Sequence, residues 1–436
     1  MGFRTDLDAI LAYLPKPPQR QTFLFSATVS PAVRQVARSF LRPDHTFINT
    51  VKEDDSPVHA HIPQFSTILP SPDHQIPHLL RLIAHDQLTN PGKSKVIVFL
   101  PTTRMTQLFA SLLREIKDEV LPVGRTRVYE MHSKKDQSAR TSTSDGFRND
   151  NSGASILVTS DVSARGVDYP KVTRVIQVGI PGSTDQYIHR VGRTGRASAL
   201  GGRADIITLP WEIGFFTWQL TDVPLKAVTV AEIKGEVSAL AEKHDADSTS
   251  STSRPIADSR KKLTVLSSRT EEIIKEALKR LDPEAVRETF ASLLGYYIAK
   301  SPELRVGKNI IVEGLRLWTT SAMGLARSPY VSEAFLHRLG VSDGRTKRFG
   351  SAGSPQDNDF AARSGPRWVG RGQQRLKDRV VVPAWQTAAN LPLDPNDPEP
   401  DEYRSQRYGR TPQSYKVPRP REQGFYSGGG TRRAQQ

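Results

Sequence analysis

The sequence predicts an α/β protein built around a parallel sheet, followed by helices and a basic tail. Three observations lead to this fold class. Short apolar runs rich in β-branched residues lie at 96–100, 155–158, 174–178 and 204–209. Helical patterns separate them, at 105–116 and 137–147. Alternating strands and helices are typical of a parallel sheet covered on both faces, and after about residue 225 only helical periodicity remains.

The composition bounds the class of protein. The 436 residues allow two or three domains of roughly 150 residues each. Lys and Arg number 61 against 46 Asp and Glu, and this net charge of +15 favours nucleic acid as a partner. Cysteine is absent, which excludes disulfide scaffolds, thiolate zinc sites and cysteine nucleophiles. No apolar run approaches the roughly 18 residues of a membrane span, and residues 1–10 lack the apolar core of a targeting peptide.

Shifts in composition divide the chain into five segments. They are residues 1–50, a polar linker at 51–75, the sheet domain at 76–225, a helical region at 226–344 and a tail at 345–436. The tail carries 17 Lys and Arg against 9 Asp and Glu and has no apolar periodicity. We expect it to be disordered and to contact phosphate backbones without sequence preference, with solubility as the alternative role.

Local signals place the elements outside the sheet domain. In the first segment we expect a helix over 6–14, a buried strand at 22–25 and a helix opened by Ser30 and Pro31. The helical region is interrupted by a polar stretch at 243–262, which we interpret as flexible.

Within the helical region, two helix starts are expected. Ser268 and Glu271 fit a capping box, and Asp282 followed by Pro283 fits a cap with proline at the first helical position. The second helix has an apolar stripe at Val286, Phe290, Leu293 and Tyr297, and a further helix is expected over 329–339.

The most informative motif is YIHRVGRTGRA at 187–197. Arg193 and Arg196 are three residues apart and therefore neighbours on a helical or turn surface, where forked guanidinium donors match phosphate oxygens. Isolated R-x-x-R spacing is common on surface helices whose arginines pair with local acids. The complete eleven-residue string favours phosphate chemistry instead.

This string resembles motif VI of the DEAD-box RNA helicases of superfamily 2. Four further blocks resemble motifs of this family in the family's order, over residues 1 to about 225: FSAT at 25–28 (III), VFLPT at 98–102 (IV), 132–140 (IVa) and TSDVSARGVD at 159–168 (V). Ser133 departs from the family pattern, because glycine usually follows the histidine there. The resemblance implies a RecA-like sheet domain, with 1–50 as the last part of a first RecA-like domain.

The resemblance also implies site residues. Arg193 and Arg196 would be catalytic arginine fingers and, with Asp168, ATP contacts. Thr102, Arg140, Thr159 and Gly166 would hold the RNA backbone. Ser26 and Thr28, with His189, would couple ATP state to unwinding.

The residues themselves allow simpler roles for several of these positions. Asp168 precedes a Tyr-Pro pair and could form a turn, Thr102 could cap a helix, and Arg140 could make a surface salt bridge. His189 could be a structural histidine.

Two parts of a family member are not found in the sequence. Neither the complete loop G-x-x-x-x-G-K-[ST] nor the string D-E-A-D occurs, so ATP and Mg²⁺ are implied as cofactors, with the Mg²⁺ ligands outside this chain. MGFRTDLDAIL resembles the segment that follows the DEAD box, so we expect a truncated gene model or fragment with little ATPase activity alone. The alternative hypothesis is a non-catalytic RNA-binding module, and a DNA helicase is a third hypothesis.

The region after residue 225 resembles the C-terminal extension of fungal mitochondrial DEAD-box helicases that act as RNA chaperones in intron splicing. This likeness rests on helix content, position and the arginine-rich tail. It implies a mitochondrial matrix location, with nucleus or nucleolus as the alternative, RNA as partner, no membrane, and a monomer.

Overall fold

A computed structural model describes residues 4–16, 18–26, 31–48, 61–163, 167–195, 201–250, 263–331, 333–338 and 340. Several predictions lie outside these residues: the Ser30 cap, the first ten residues of the linker (51–60), the tail at 345–436, and the site residues Thr28, Gly166 and Arg196.

A sheet of seven parallel strands forms the centre of the fold. The strands are β1 (Gln64–Ile68), β2 (Ser94–Phe99), β3 (Arg127–Met131), β4 (Ala154–Thr159), β5 (Arg174–Val178), β6 (Arg203–Thr208) and β7 (Leu225–Ala227). Their order across the sheet is β3-β4-β2-β5-β6-β1-β7. All residues of β2, β4 and β5 are buried, which agrees with their apolar sequences. The predicted α/β class and the four strands predicted within the sheet domain are confirmed.

Helices connect and cover the strands. Within the sheet domain they are α3 (Gln75–Thr89), α4 (Thr103–Val120), α5 (Gln137–Arg148), α6 (Thr184–Val191) and α7 (Gly214–Gln219). The helices before it are α1 (Arg4–Ala12) and α2 (Pro31–Phe40). Those after it are α8 (Val230–Ser250), α9 (Leu263–Lys279), α10 (Pro283–Ala299), α11 (Ser301–Leu304), α12 (Lys308–Leu317) and α13 (Glu333–Arg338), with a π-helical turn at Trp318–Ala322.

The linker prediction for 51–75 is wrong in its second half, where β1 runs in the sheet between β6 and β7. The search for apolar runs did not predict this strand, because two of its five residues are polar side chains that are buried and hydrogen-bonded to other side chains. Gln64 accepts a hydrogen bond from the Tyr187 hydroxyl at 2.9 Å, and Thr67 pairs with His78 Nε2 at 3.1 Å. The sequence also did not predict β3, whose residues are mostly half-buried at the sheet edge.

The first segment follows the prediction only in its helices, α1 and α2. The predicted strand at 22–25 is absent: this stretch has no strand hydrogen bonding, and Phe23 and Phe25 are exposed and stack on each other at 6.4 Å. An apolar run becomes a strand only where a neighbouring strand accepts its hydrogen bonds, and no described strand lies beside it.

Two predictions for the helical region are wrong. The stretch 243–262 is helical through residue 250, because α8 continues to Ser250. The carboxylate of Asp245 in α8 accepts hydrogen bonds from the backbone N–H groups of Leu263 and Thr264, at 3.0 and 3.1 Å, and so binds the first turn of α9. Residues 251–262 lie outside the described part. The capping box at 268–271 is also wrong, since these residues lie inside α9, and Glu271 pairs with Arg81 of α3 at 2.6 Å.

Two other predictions for this region stand, one of them in shortened form. Asp282 caps α10 by accepting from the Glu284 backbone at 3.0 Å, and the apolar stripe of α10 is buried. The helix predicted over 329–339 is shorter, at Glu333–Arg338.

The helical region packs directly on the sheet domain and shares its core. Buried side chains of both regions belong to one continuous apolar cluster. The Trp318 indole N–H donates to Gln75 Oε1 at 2.8 Å, and a Cβ on Gly214 would lie 1.9 Å from the Leu304 carbonyl oxygen. The backbones of α7 and α11 therefore meet at a distance that only glycine allows.

Candidate nucleic-acid interface

The residues predicted to hold the RNA backbone follow neighbouring strands at the carboxyl edge of the sheet. In the strand order, β3, β4 and β2 are adjacent, and the backbone joins the loops that follow them. The Leu100 N–H donates to the Thr159 carbonyl at 2.9 Å, and the Ser160 N–H donates to the Met131 carbonyl at 3.3 Å. Ligands of open parallel sheets bind at this edge, so motifs IV, IVa and V share one surface.

Thr102 caps α4, as the simpler interpretation of this residue proposed. Its half-buried hydroxyl accepts a hydrogen bond from the Met105 N–H at 3.3 Å. The same oxygen lies 2.9 Å from the Ser292 hydroxyl of α10. The helical region thus directly contacts Thr102, a residue that is predicted to bind RNA.

Ser133, the residue that departs from the family pattern, is exposed and lies 3.2 Å by its hydroxyl from that of Thr103. This contact ties the loop after β3 to the start of α4. The side chain preceding it, His132, is buried, and its Nε2 lies 3.0 Å from Glu130. Burial raises the pKa of Glu130, but the hydrogen bond from His132 and the charge of Arg114 outweigh it and leave this pKa lowered.

Charged side chains flank these loops. Arg104 of α4 forms an ion pair with Glu288 of α10 at 2.8 Å. Burial and the nearby positive charge of Arg104 lower the pKa of Lys134.

Arg140 lies on α5, whose cap Asp136 accepts a hydrogen bond from the Ala139 N–H at 2.6 Å. Arg140 is half-buried, and its buried Nε has no hydrogen-bond partner in the described residues.

Thr159 is fully buried, and its hydroxyl faces inward. It donates within the loop that it opens, toward Ser163 Oγ at 2.9 Å and the Ser160 carbonyl at 3.0 Å. In this conformation the hydroxyl is not available to RNA, so the side chain stabilises the motif V turn. Gly166, the other predicted residue of this block, lies outside the described part.

Motif VI begins on α6, which two buried side chains fix to the sheet. One is Tyr187, bonded to β1 as described above. The other is Arg190, which pairs with Asp161 of motif V at 2.7 Å and stacks over Phe99 at 5.1 Å. The motif therefore leaves the sheet at a defined position next to motif V.

Arg193 contacts the motif V segment at the residue before Asp168, and the nucleotide roles of both residues stay predictions. Its Nη1 donates to the carbonyl of Val167, the residue before Asp168, and its Nε donates to the His189 carbonyl at 3.1 Å. The Asp168 side chain is exposed, and its own carbonyl accepts from Arg148 at 3.1 Å. Ser26 is exposed and His189 half-buried, and their coupling stays a prediction.

The sequence did not identify the residues of α10 that reach this edge. Besides Ser292, the Tyr296 hydroxyl donates to the Ile180 carbonyl at 2.9 Å, and the Tyr297 hydroxyl donates to buried Glu212. Burial raises the pKa of Glu212 to about 7 against the hydrogen bonds it accepts. The stripe of α10 predicted a buried face; nothing in it pointed to which loops that face would meet.

Three features bear on other kinds of site. Gly92-Lys93-Ser94 matches the end of a phosphate loop, but Ser94 begins β2 and donates to Asp86 at 2.6 Å, so the turn precedes a strand and not a helix. Across the described ranges, no three His, Asp or Glu side chains are grouped to hold a metal ion. Among the helices described, none combines the length and apolarity needed to cross a membrane.

Comparisons with known proteins identify the family of this chain. The family model described as "Helicase conserved C-terminal domain" matches residues 75–198. DEAD-box ATP-dependent RNA helicase 26 of Oryza sativa subsp. japonica is 35% identical over 343 residues, which cover 79% of this chain and 54% of the relative. The mitochondrial ATP-dependent RNA helicase mss116 of Aspergillus fumigatus is 31% identical over 394 residues, 87% of this chain and 56% of the relative. The chain thus spans about half the length of these curated relatives.

A solved structure of Mss116p bound to ssRNA and AMP-PNP matches with a TM-score of 0.60 and 26% identity, over 78% of this chain and 61% of that one. The match covers more of the chain than the sheet domain alone. Ordered motifs on adjacent strand ends, the RecA-like sheet with its helical region, and these relatives lead to one conclusion: the chain belongs to the DEAD-box RNA helicase family.

Proposed function

We propose that this chain supplies the second RecA-like domain and helical extension of an ATP-dependent RNA helicase that opens short RNA duplexes. The observation that carries the proposal is that Arg193 bonds the Val167 carbonyl, so that motif VI meets motif V. Motif V begins at Thr159, and the loop there is bonded to the loops after β2 and β3 that lead to Thr102 and Arg140. The chain would then offer phosphate donors and a ribose acceptor on segments that flank a strand-binding surface. Residues 1–50 are proposed to complete a first RecA-like domain.

On the RNA side, the chain would hold one strand by its backbone. Arg140 and Thr102 are half-buried beside the loops of this edge, and the motif V turn around Thr159 and Gly166 would offer backbone groups. Contacts to sugar and phosphate carry no base information, so binding is independent of sequence and weakens steeply with salt. The RNA in the solved 26%-identical relative supports this partner.

On the nucleotide side, the residues present fit part of an ATP site. The exposed Asp168 carboxylate can accept from ribose hydroxyls, and Arg193 and Arg196 can donate to phosphate oxygens. ATP supplies a transferable phosphoryl group. The bonds to Val167 and His189 would orient Arg193, and the finger is proposed to act when a first domain closes on this one and brings the phosphates to it. No three His, Asp or Glu side chains among the described residues are grouped to hold Mg²⁺.

A second candidate is a non-catalytic RNA-binding module. It is favoured by one sequence observation, the lack of a complete phosphate loop and of D-E-A-D in this chain. It keeps the RNA edge and the basic tail and loses turnover. For either candidate we propose a monomer in the mitochondrial matrix; the 31% identity to a mitochondrial fungal helicase supports the location.

The test replaces both fingers in a protein that joins this chain to a first RecA-like domain. Arg193→Ala with Arg196→Ala should lower RNA-stimulated ATP hydrolysis by about 10³-fold or more, while single-stranded RNA binding persists. Arg327→Ala, at an exposed arginine of the helical region, is the matched control. Unchanged turnover in the double variant contradicts the finger assignment.

A further inference from the structure

Hydrogen-bond direction can be followed from α10 to Thr102. Ser292 Oγ lies 2.9 Å from the Thr289 carbonyl oxygen, which only accepts, so the single hydroxyl proton of Ser292 points along the helix. In the contact of 2.9 Å between Ser292 and Thr102, the serine oxygen must then accept. The proton in that contact belongs to Thr102.

The hydroxyl of Thr102 is therefore left without a free proton. It donates to Ser292 and accepts from the Met105 N–H, which leaves one lone pair on its oxygen. A lone pair repels an ionised phosphate oxygen, which carries no hydrogen. It attracts a donor, and the donor that an RNA backbone offers is the ribose 2′-hydroxyl.

We propose that Ser292 is a specificity-determining residue: by taking the Thr102 proton, it makes Thr102 an acceptor for a ribose 2′-hydroxyl, which DNA lacks. This inference rests on the proposed function, because it assumes that Thr102 contacts RNA. Ser292 does not touch the nucleic acid itself; it acts by fixing the polarity of Thr102.

The surroundings hold Ser292 in place for this role. One turn later, Tyr296 bonds the Ile180 carbonyl at 2.9 Å; one turn earlier, Glu288 pairs with Arg104 at 2.8 Å. These contacts attach α10 to the loop after β5 and to the first turn of α4, on either side of Ser292. The Ser292 oxygen is thus presented to Thr102 by a helix that is anchored at both flanks.

The experiment measures the affinity of the chain for a short oligouridylate and for the matching oligodeoxyuridylate at one salt concentration. Ser292→Ala frees the Thr102 proton to donate to phosphates of either strand, so the RNA-to-DNA affinity ratio should fall roughly 3- to 10-fold. Ser292→Thr keeps the accepting hydroxyl and should restore the ratio. Ser321→Ala is the control, since that exposed hydroxyl bonds only its own helix, at Leu317.

A second variant covers the case in which Ser292→Ala fails to fold. Thr102→Val removes the acceptor, and its RNA affinity should approach its DNA affinity. An unchanged ratio in Ser292→Ala or Thr102→Val overturns the inference, as does an equal loss or an equal gain for both strands, since a structural role or simple competition with phosphate would move them together. Failure of the unsubstituted chain to bind oligouridylate refutes the proposed function and, with it, this inference.

Discussion

Glu212 makes the stability of the junction between sheet domain and helical region depend on pH. This carboxyl is completely buried; it accepts from the Leu209 N–H at 2.6 Å and from the Tyr297 hydroxyl of α10. Burial raises its pKa to about 7, from an ordinary 4.5. The perturbation that isolates this group is Glu212→Gln, which keeps the shape and removes the ionisation.

The direction follows from the raised pKa of Glu212. Below about pH 4.5 both the folded and the unfolded chain carry the proton, and its stabilising contribution is complete. Between about pH 4.5 and 7 the unfolded chain ionises first, so the free energy of unfolding falls as pH rises, and above about pH 7 the contribution is lost. A shift of this size corresponds to roughly 3 kcal/mol, or about 5 to 10 °C in Tm for a protein of this size.

The assay is thermal denaturation of both proteins from about pH 5 to pH 8. The Tm of the unsubstituted protein should fall relative to that of Glu212→Gln by several degrees over this range, because all other titrating groups are common to both. Glu313→Gln, at an exposed carboxyl of α12, is the control and should follow the unsubstituted protein. Parallel Tm profiles for Glu212→Gln and the unsubstituted protein would refute the reasoning.

Three further substitutions probe other parts of the account. Gly214→Ala should lower the free energy of unfolding by about 1 to 3 kcal/mol in urea titrations, because its Cβ would overlap the Leu304 carbonyl; an unchanged midpoint would contradict that close approach. Asp282→Ala should lower the free energy of unfolding by about 1 kcal/mol, because the α10 cap is lost, whereas Asp282→Asn keeps a capping oxygen and should change this free energy little. Ser133→Gly removes the contact with Thr103 and should weaken single-stranded RNA binding roughly two- to fivefold in fluorescence anisotropy; equal affinity would show that this contact does not order the edge.

The apolar pattern of the sequence was sufficient to predict strands that are buried along their whole length. The strands β2, β4 and β5 are buried on both faces, and their continuous apolar runs therefore predicted them. The strand β1 was missed because its buried Gln64 and Thr67 are satisfied by side chains far along the chain. The strand predicted at 22–25 failed for the opposite reason, since its apolar side chains have no partner strand among the described residues.

The candidate site was predictable where motifs mark it and not elsewhere. Thr102 was expected at the carboxyl edge from its position after β2, and it caps α4 there. Arg193 joins motif VI to motif V through the Val167 carbonyl. Ser292 and Glu212 could not be found in this way, because their importance lies in contacts made across long sequence separations. The motif match also did not indicate that the Thr159 hydroxyl faces inward, which depends on the turn at Ser163.

The central claim is that the carboxyl edge of the sheet binds an RNA backbone. The most direct measurement is the affinity of this chain for two unrelated single-stranded RNA sequences between about 50 and 200 mM salt. The account predicts equal affinities, a linear fall of log affinity with log salt, and a slope reduced by about 0.7 in Arg140→Ala. If the chain does not bind RNA, or if its affinity depends on sequence and changes neither with salt nor in Arg140→Ala, the edge does not bind the RNA backbone as proposed.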